Sequence, residues 1–328
     1  MARIFAYIVH RGGVVDDSAV ELAAAARKID PTAQPTAILT GWGPDLDAAC
    51  NSIRTSYSET WKIKNQTLSY PNAELVRKAL LSVLPNDSIV LVAHEHFGID
   101  LAPGLSIKMR SAFVSDVTDI AGIEGADLKV ARQEFGGQVS THVDCDISSG
   151  AVFTIRPGAF KTLDSAPVNG SVIDKSSEVG VLTAGRRYLE TVVAEAGDVD
   201  ITKHNVLVSI GRGIQEKDNV VIAEELAEAM GAAVSCSRPV VDAKWMEKSR
   251  QVGSSGKTVK PKVYLACGIS GAFQHLAGLK GSPFLIAINK NPKAPIFQVA
   301  DVGIVDDVLE FLPELTNKVR EMRAVGVK

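Results

Sequence analysis

The residues of this chain whose types and spacing could do chemistry gather in its second half. They stand in loops rich in Gly, Ser and Arg: Gly211-Arg-Gly213, Ser237-Arg238, Gly253-Ser-Ser-Gly256, Gly268-Ile-Ser-Gly271 and Asn289-Lys290. In an open parallel α/β sheet, loops at the carboxyl ends of strands are where ligands bind. The segment 268–279 is the most informative. Ser270 can cap a helix over 271–279 whose Ala272, Leu276 and Leu279 form a core stripe. Gly271, His275 and Gly278 fall on another face at i, i+4 and i+7, so an imidazole stands between two residues lacking side chains. A flat ligand could approach the backbone there, and the helix N-terminus would favour negative charge on it. The same spacing also suits a histidine packed at a helix–helix contact. Arg238 should project from the carboxyl edge of a strand over 232–236, either toward a ligand or as an ordinary solvated arginine.

Other motifs carry less. Gly253-Ser-Ser-Gly256-Lys257-Thr258 resembles the end of a phosphate-binding P-loop, but Gln251 occupies the position of its first glycine and a strand follows it where a helix should. Gly211-Arg-Gly213 begins like a dinucleotide fingerprint, yet Glu216 replaces the third glycine, so a tight turn explains it equally. His94-Glu95-His96 could put two imidazoles on one side of a chain as metal ligands, but no third ligand is suggested nearby, and a solvated loop is the simpler reading.

Periodicity supplies the elements that must position these loops. Strand-length apolar runs at 3–9, 35–40 and 88–93 alternate with amphipathic stretches at 16–28, 71–84 and 98–110, which predicts a parallel sheet. From about 112 to 160 the pattern changes to short β-rich pieces, an added antiparallel portion or sheet edge. Residues 161–198 are polar and mixed. Then the βα rhythm resumes with strands at 205–210, 232–236, 263–267 and 284–288, and helices at 218–230, 271–279 and 306–323. The expected fold class is α/β with two domains. Residues 1–194 form a Rossmann-like α/β domain with an added β segment, and residues 195–328 a doubly wound parallel-sheet domain.

Bulk composition narrows the function classes. The length of 328 residues suggests two domains, and 46% hydrophobic with 22% charged residues suits a soluble globular protein. A formal charge of −3 and a pI near 6.1 give no excess of cations for a nucleic-acid partner. No uncharged apolar run reaches the 18 or so residues that span a bilayer, so no membrane insertion is expected. The start lacks the pattern of a secretory signal, which implies a cytoplasmic, bacterial or matrix-like location. Cys50, Cys145, Cys236 and Cys267 are far apart with no CxxC, and are expected to be buried free thiols.

Taken in order, Gly211-Arg-Gly, Ser237-Arg-Pro-Val-Val-Asp242, Gln251-Val-Gly, Val263-Tyr-Leu-Ala-Cys-Gly-Ile-Ser-Gly-Ala-Phe-Gln-His-Leu-Ala-Gly278 and Ala287-Ile-Asn-Lys-Asn-Pro-Lys-Ala-Pro-Ile-Phe-Gln-Val-Ala-Asp301 resemble the alpha subunits of electron transfer flavoproteins, also called FixB proteins. The blocks cover most of 205–313; the first 190 residues are similar more loosely, best at Phe97-Gly98 and Val114-Ser-Asp-Val117. The likeness extends to methylotroph members. It implies a soluble electron carrier that binds FAD and has no substrate chemistry of its own. FAD would be held by Arg212, Ser237, Arg238, Gln251, Val252, Gly253, Ser254, Ser255, Gly268, Ser270, Gly271, Ala272, Phe273, Gln274, His275, Asn289 and Asp307. Arg238 would lie against the isoalloxazine, His275 on its O2 side and the Ser255 hydroxyl on its N5 side, favouring an anionic one-electron form. The family often has Gly-Gln-Thr-Gly where this chain has Gly253-Ser-Ser-Gly256, so Ser254 offers no amide contact.

The resemblance also implies a heterodimer with a beta subunit carrying AMP or, in bifurcating members, a second FAD. It implies a primary dehydrogenase as donor, such as trimethylamine dehydrogenase or an acyl-CoA dehydrogenase, and a quinone-linked oxidoreductase as acceptor. The alternative is a flavin-dependent oxidoreductase acting on a small substrate.

Overall fold

The computed structural model describes residues 3–135, 139–160, 168–190, 199–281 and 283–324. The chain divides into two compact units, Met1–Glu190 and Thr191–Lys328. The boundary expected near residue 195 lies outside the described residues.

The first unit opens with β1 (Ile4–Tyr7), a small antiparallel pair β2 (His10–Arg11) and β3 (Val14–Val15), α1 (Ser18–Ile29), β4 (Thr36–Gly41), α2 (Gly43–Ser52) and β5 (Glu59–Lys64). It continues through α3 (Ala73–Val83), β6 (Ile89–Ala93), α4 (His96–Met109), β7 (Ala112–Glu124), β8 (Asp127–Glu134), β9 (Val139–Asp146), β10 (Ala151–Ile155) and β11 (Ser171–Asp174). Nine strands form one sheet in the order β11-β5-β4-β1-β6-β10-β7-β8-β9. All pairs are parallel except β7 with β8 and β8 with β9. The antiparallel edge is the added β segment that the pattern change at 112–160 predicts.

Helix burial follows from spacing. In α1, Ala19, Leu22, Ala23 and Ala26 are buried at i, i+3, i+4 and i+7, so one stripe faces the sheet. Asn72 caps α3 by accepting hydrogen bonds from the Glu74 and Leu75 amides, an arrangement worth about 1 kcal/mol.

The second unit contains β12 (Val206–Ile210), α5 (Val220–Met230), β13 (Ala233–Cys236), α6 (Arg238–Asp242), β14 (Val263–Cys267), α7 (Phe273–Leu276), β15 (Phe284–Ile288), β16 (Val302–Ile304) and α8 (Val308–Ala324). Its sheet has the order β13-β12-β14-β15-β16, parallel throughout. Strand alternation divides the core between the two faces: Val208, Ile210, Leu265 and Cys267 pack on one, Leu207, Tyr264 and Ala266 on the other. Because β12 is flanked by β13 and β14, the direction in which successive strands are added reverses between β12 and β14, which opens a crevice at their carboxyl ends.

Seven elements go beyond the sequence expectation: α2, α6, β2, β3, β5, β11 and β16. β11 and β16 are only four and three residues long, and they sit at sheet edges where few side chains need burial. The largest correction concerns the helix expected over 271–279. Only Phe273–Leu276 is helical, with Ala272 rather than Ser270 at its start and no side-chain cap. Gly271 has φ +85°, a left-handed conformation that a right-handed helix cannot include. A single turn aligns too few peptide dipoles to attract an anion, so this helix end offers the cleft no positive charge.

Candidate functional site

A cleft of about 450 Å³ lies at the crevice of the second sheet. Four of the five strand ends contribute a loop. Gly211 and Arg212 follow β12, Ser237, Arg238 and Pro239 follow β13, the stretch from Gly268 to His275 follows β14, and Asn289 follows β15. A fifth wall is the connection Gln251, Val252, Gly253, Ser254 and Ser255.

Backbone crossings hold these loops at close range. The Gly211 amide donates to the Cys267 carbonyl at 2.8 Å, and the Gly213 amide to the Gly268 carbonyl at 3.1 Å. A β-carbon on Gly211 would sit 2.3 Å from the Gly268 oxygen, so glycine is required for the two loops to touch. The same applies to Gly278, where a β-carbon would lie 2.3 Å from the Gly253 nitrogen. The Ser254 amide donates to the Gln274 carbonyl at 2.7 Å, so the fifth wall is bonded to the α7 turn.

These glycines correct a second expectation. The open faces of Gly271 and Gly278 do not receive a flat ligand; protein backbone fills them, Ile296 against Gly271 and Gly253 against Gly278.

Of the residues singled out in the sequence, Arg212, Ser237, Arg238, Gln251, Val252, Gly253, Ser254, Ser255, Gly268, Ser270, Ala272, Gln274, His275 and Asn289 come together around the cleft. Gly271, Phe273 and Asp307 are not among its lining residues. Asp307 is engaged elsewhere: Lys290 Nζ approaches its carboxylate at 2.6 Å, and its other oxygen accepts from the Leu309 amide at the start of α8. Phe273 is exposed on α7.

His275 is buried, and Tyr264 Oη lies 2.8 Å from its Nε2. Its Nδ1 is also buried and has no hydrogen-bond partner. Burial pushes the imidazole pKa down to about 4, with the Val252 backbone pulling weakly the other way without completing a well-formed bond to Nδ1. The ring is neutral near pH 7. Neither of its two simple sequence readings suffices, because it lines the cleft and is also packed against the sheet.

Gln251 donates from Nε2 to Ser255 Oγ at 2.9 Å, so the Ser255 hydroxyl keeps its own proton free to donate. Arg238 is largely exposed and pairs with Asp242 at 3.4 Å. Asn289 is held by its side-chain amide, which donates to the Ile269 carbonyl at 2.9 Å. No Asp, Glu, Cys or Lys lines the cleft. The cysteines are buried free thiols, and burial pushes Cys236 and Cys267 up to about 12, so neither is a nucleophile.

Gly211, Pro239 and Ile269 line the cleft outside the expected binding residues, and behind it motif reading passes over Tyr264 and Ser209. Their signal was a polar group on a buried strand: Ser209 interrupts the apolar run of β12, and buried hydroxyls need partners.

His94 departs from its expected solvated loop. Its Nδ1 lies 2.8 Å from Thr154 Oγ1, and Asp116, bound by Arg156, is 3.9 Å from Nε2. His96 begins α4 and is exposed. Among the described residues no group of three or more His, Cys, Asp or Glu could hold a metal, and no helix is long and apolar enough to cross a membrane.

A parallel sheet with an arginine- and glycine-rich cleft at its switch point defines a cofactor-binding α/β domain. Comparison with known proteins specifies which. The family model described as "Electron transfer flavoprotein FAD-binding domain" matches residues 200–280, and "Electron transfer flavoprotein domain" matches 4–179. The chain is similar to an electron transfer flavoprotein subunit alpha of Methylophilus methylotrophus, 35% identical over 96% of this chain and 98% of that one. It is also similar to Protein FixB of Clostridium saccharobutylicum, 32% identical over 97% and 96%. A third relative is the lactate dehydrogenase (NAD(+),ferredoxin) subunit LctC of Acetobacterium woodii, 35% identical over 75% of this chain and 58% of that one. The chain belongs to the electron transfer flavoprotein family, on its alpha-subunit side. It is an electron-carrying flavoprotein subunit with the family's FAD-binding domain in its second unit.

Proposed function

We propose that the cleft of the second unit holds FAD, and that this chain works with a beta subunit carrying AMP. Electrons would come from a primary dehydrogenase and leave to a quinone-linked oxidoreductase. The observation that carries the reading is the donor set of the cleft: two arginines, two serine hydroxyls of the 252–255 wall and one buried neutral imidazole, with no carboxylate or thiol among them. That set fits a negatively charged dinucleotide with a polar heterocycle.

Bound FAD supplies the electron exchange. The protein's part is to bind and tune. Arg212 and Arg238 offer positive charge to phosphates or to an electron-rich ring. Ser255, fixed by Gln251, offers a proton donor. Asn289, tethered to Ile269, closes the wall after β15. With no acid–base pair in the lining, the site exchanges electrons without transforming a substrate.

The test is co-expression with the beta subunit, followed by release and identification of bound nucleotides. One FAD and one AMP per heterodimer, with reduction only when a dehydrogenase is present, is the expected result. A colourless heterodimer would overturn the FAD reading, and reduction by a small metabolite alone would overturn the carrier reading. The likeness to LctC motivates a second reading, that the chain serves as a subunit within an enzyme. Two FAD per heterodimer would support it.

A further inference from the structure

Past β11 the first unit ends in a segment held by side chains instead of a ladder. β11 itself is fixed by parallel pairing with β5, from Ser171 opposite Glu59 to Asp174 opposite Lys62. The next backbone bonds close a single turn, from the Glu178 amide to the Lys175 carbonyl and from the Val179 amide to the Ser176 carbonyl. From Gly180 to Glu190 no backbone group bonds to another backbone group among the described residues. Only Leu182 of that stretch is buried. The remaining anchors are polar and come from in and around α3 and α4. Lys78 Nζ donates to the Thr183 carbonyl, the Gly185 amide donates to the Glu74 carboxylate at 3.0 Å, and Asn72 Nδ2 donates to the Arg186 carbonyl at 3.3 Å. Asp100 takes the Arg186 guanidinium in a fork at 2.7 and 3.1 Å, with 44% and 59% of the two side chains exposed. Tyr188 stacks on Tyr70 with ring centroids 4.1 Å apart, both rings facing solvent in part.

Exposed ion pairs hold weakly and are screened by salt. Backbone with little burial and no ladder is the first to open. Glu190 is also the last residue of the first unit, so the chain passes from this segment into the second. We propose that residues 180–190 are a detachable strap, and that its docking on α3 and α4 sets the length of chain between the two units. Docked, the connection to the second unit starts after Glu190. Lifted, it starts at Gly180, where a side chain would meet nothing within 4 Å and the chain is free to swing. The eleven residues 180–190 then add up to about 35–40 Å of reach. A unit that takes electrons from one protein and gives them to another gains from such reach; the purpose rests on the carrier reading, the strap does not.

The experiment is hydrogen–deuterium exchange of the heterodimer at low and at high salt. Amides of 181–190 should exchange much faster than those of β11, and should gain about fivefold in high salt, the factor one exposed pair is worth. β11 should not respond. Asp100→Asn leaves Arg186 in place but removes its charged partner, so it should show the fivefold gain already at low salt and lose most of the salt response. Glu178→Gln removes the pair with Lys175 on the fixed side of Gly180 and should match the parent. Small-angle scattering of the same samples should show the radius of gyration rising with the exchange rate of the strap. Exchange as slow as that of β11 at every salt, or an Asp100→Asn protein that matches the parent, overturns the strap. A lifted strap with an unchanged radius of gyration overturns its part in the tether. The parent's own salt response decides the first point without any substitution, and no readout involves the flavin, so the strap and the FAD reading fail separately.

Discussion

Arg238 leaves the first residue of α6 with most of its side chain in solvent and Asp242 one turn away at 3.4 Å. Exposed charges of this kind contribute at most about 1 kcal/mol, so Arg238→Ala should lower the first reduction potential by on the order of 40 mV. Asp242→Asn should raise it, because a competing carboxylate is removed. Arg238→Lys should recover only part, since an ammonium lacks the planar stacking surface of guanidinium. Spectroelectrochemical titration of the four proteins checks the order, and equal potentials for all would make the arginine a bystander. His275 predicts a pH effect. Its folded pKa lies near 4, below the usual 6.5, so the unfolded chain binds more protons between those values. Stability is therefore full above pH 6.5 and falls as pH drops toward 4, by on the order of 3 kcal/mol. Burial also lowers His10 and His94, so the measurement is the difference in denaturant midpoint between parent and His275→Gln across that range. Parallel curves would contradict it. Motif reading found both residues, because Arg and His in Gly-rich loops stand out. It could not see that Tyr264 engages His275, since eleven residues of chain separate them.

The α7 turn shows how an element can be legible in pattern and wrong in kind. Ala272, Leu276 and Leu279 have helical spacing, but Gly271 and Gly278 bracket the segment and serve backbone contacts instead. Gly278→Ala tests this. Its β-carbon would meet the Gly253 backbone and push the 252–255 wall outward, so it should cost about 1–3 kcal/mol and release FAD. Gly180→Ala is the control, because that position faces open space and should leave both stability and FAD content unchanged. Melting curves with flavin absorbance decide the matter; full FAD content in Gly278→Ala would show that the wall tolerates the shift. The long elements, such as α1, α3, α5, β6, β12 and β14, were readable because their burial stripes or continuous apolar runs repeat over several turns or residues. The short edge strands β11 and β16 were not, since pairing partners rather than side-chain pattern define them.

At the scale of the molecule, the second unit must form five loops into one cleft on a sheet of five short strands. A partner that binds only the folded state stabilises it by mass action. Co-expression with the beta subunit should therefore raise FAD occupancy and the melting temperature together, relative to the chain produced alone. Equal occupancy and equal melting in both preparations would show that the site is complete without its partner.

The sequence by itself determined the α/β class, the antiparallel addition to the first sheet, the burial of the four cysteines and most of the residues around the cleft. Each of these depends on local pattern: periodicity of burial, or polar residues clustered just past a strand end. Tertiary structure alone decided what the glycines and hydroxyls do. Whether a glycine admits a ligand or another backbone depends on which loop crosses it, and at Gly211, Gly271 and Gly278 that is protein. Tyr264 meets both Ser209 and His275 only because strand register and the loop after β14 bring the three together. Such contacts join residues far apart in the chain, and no local spacing encodes them.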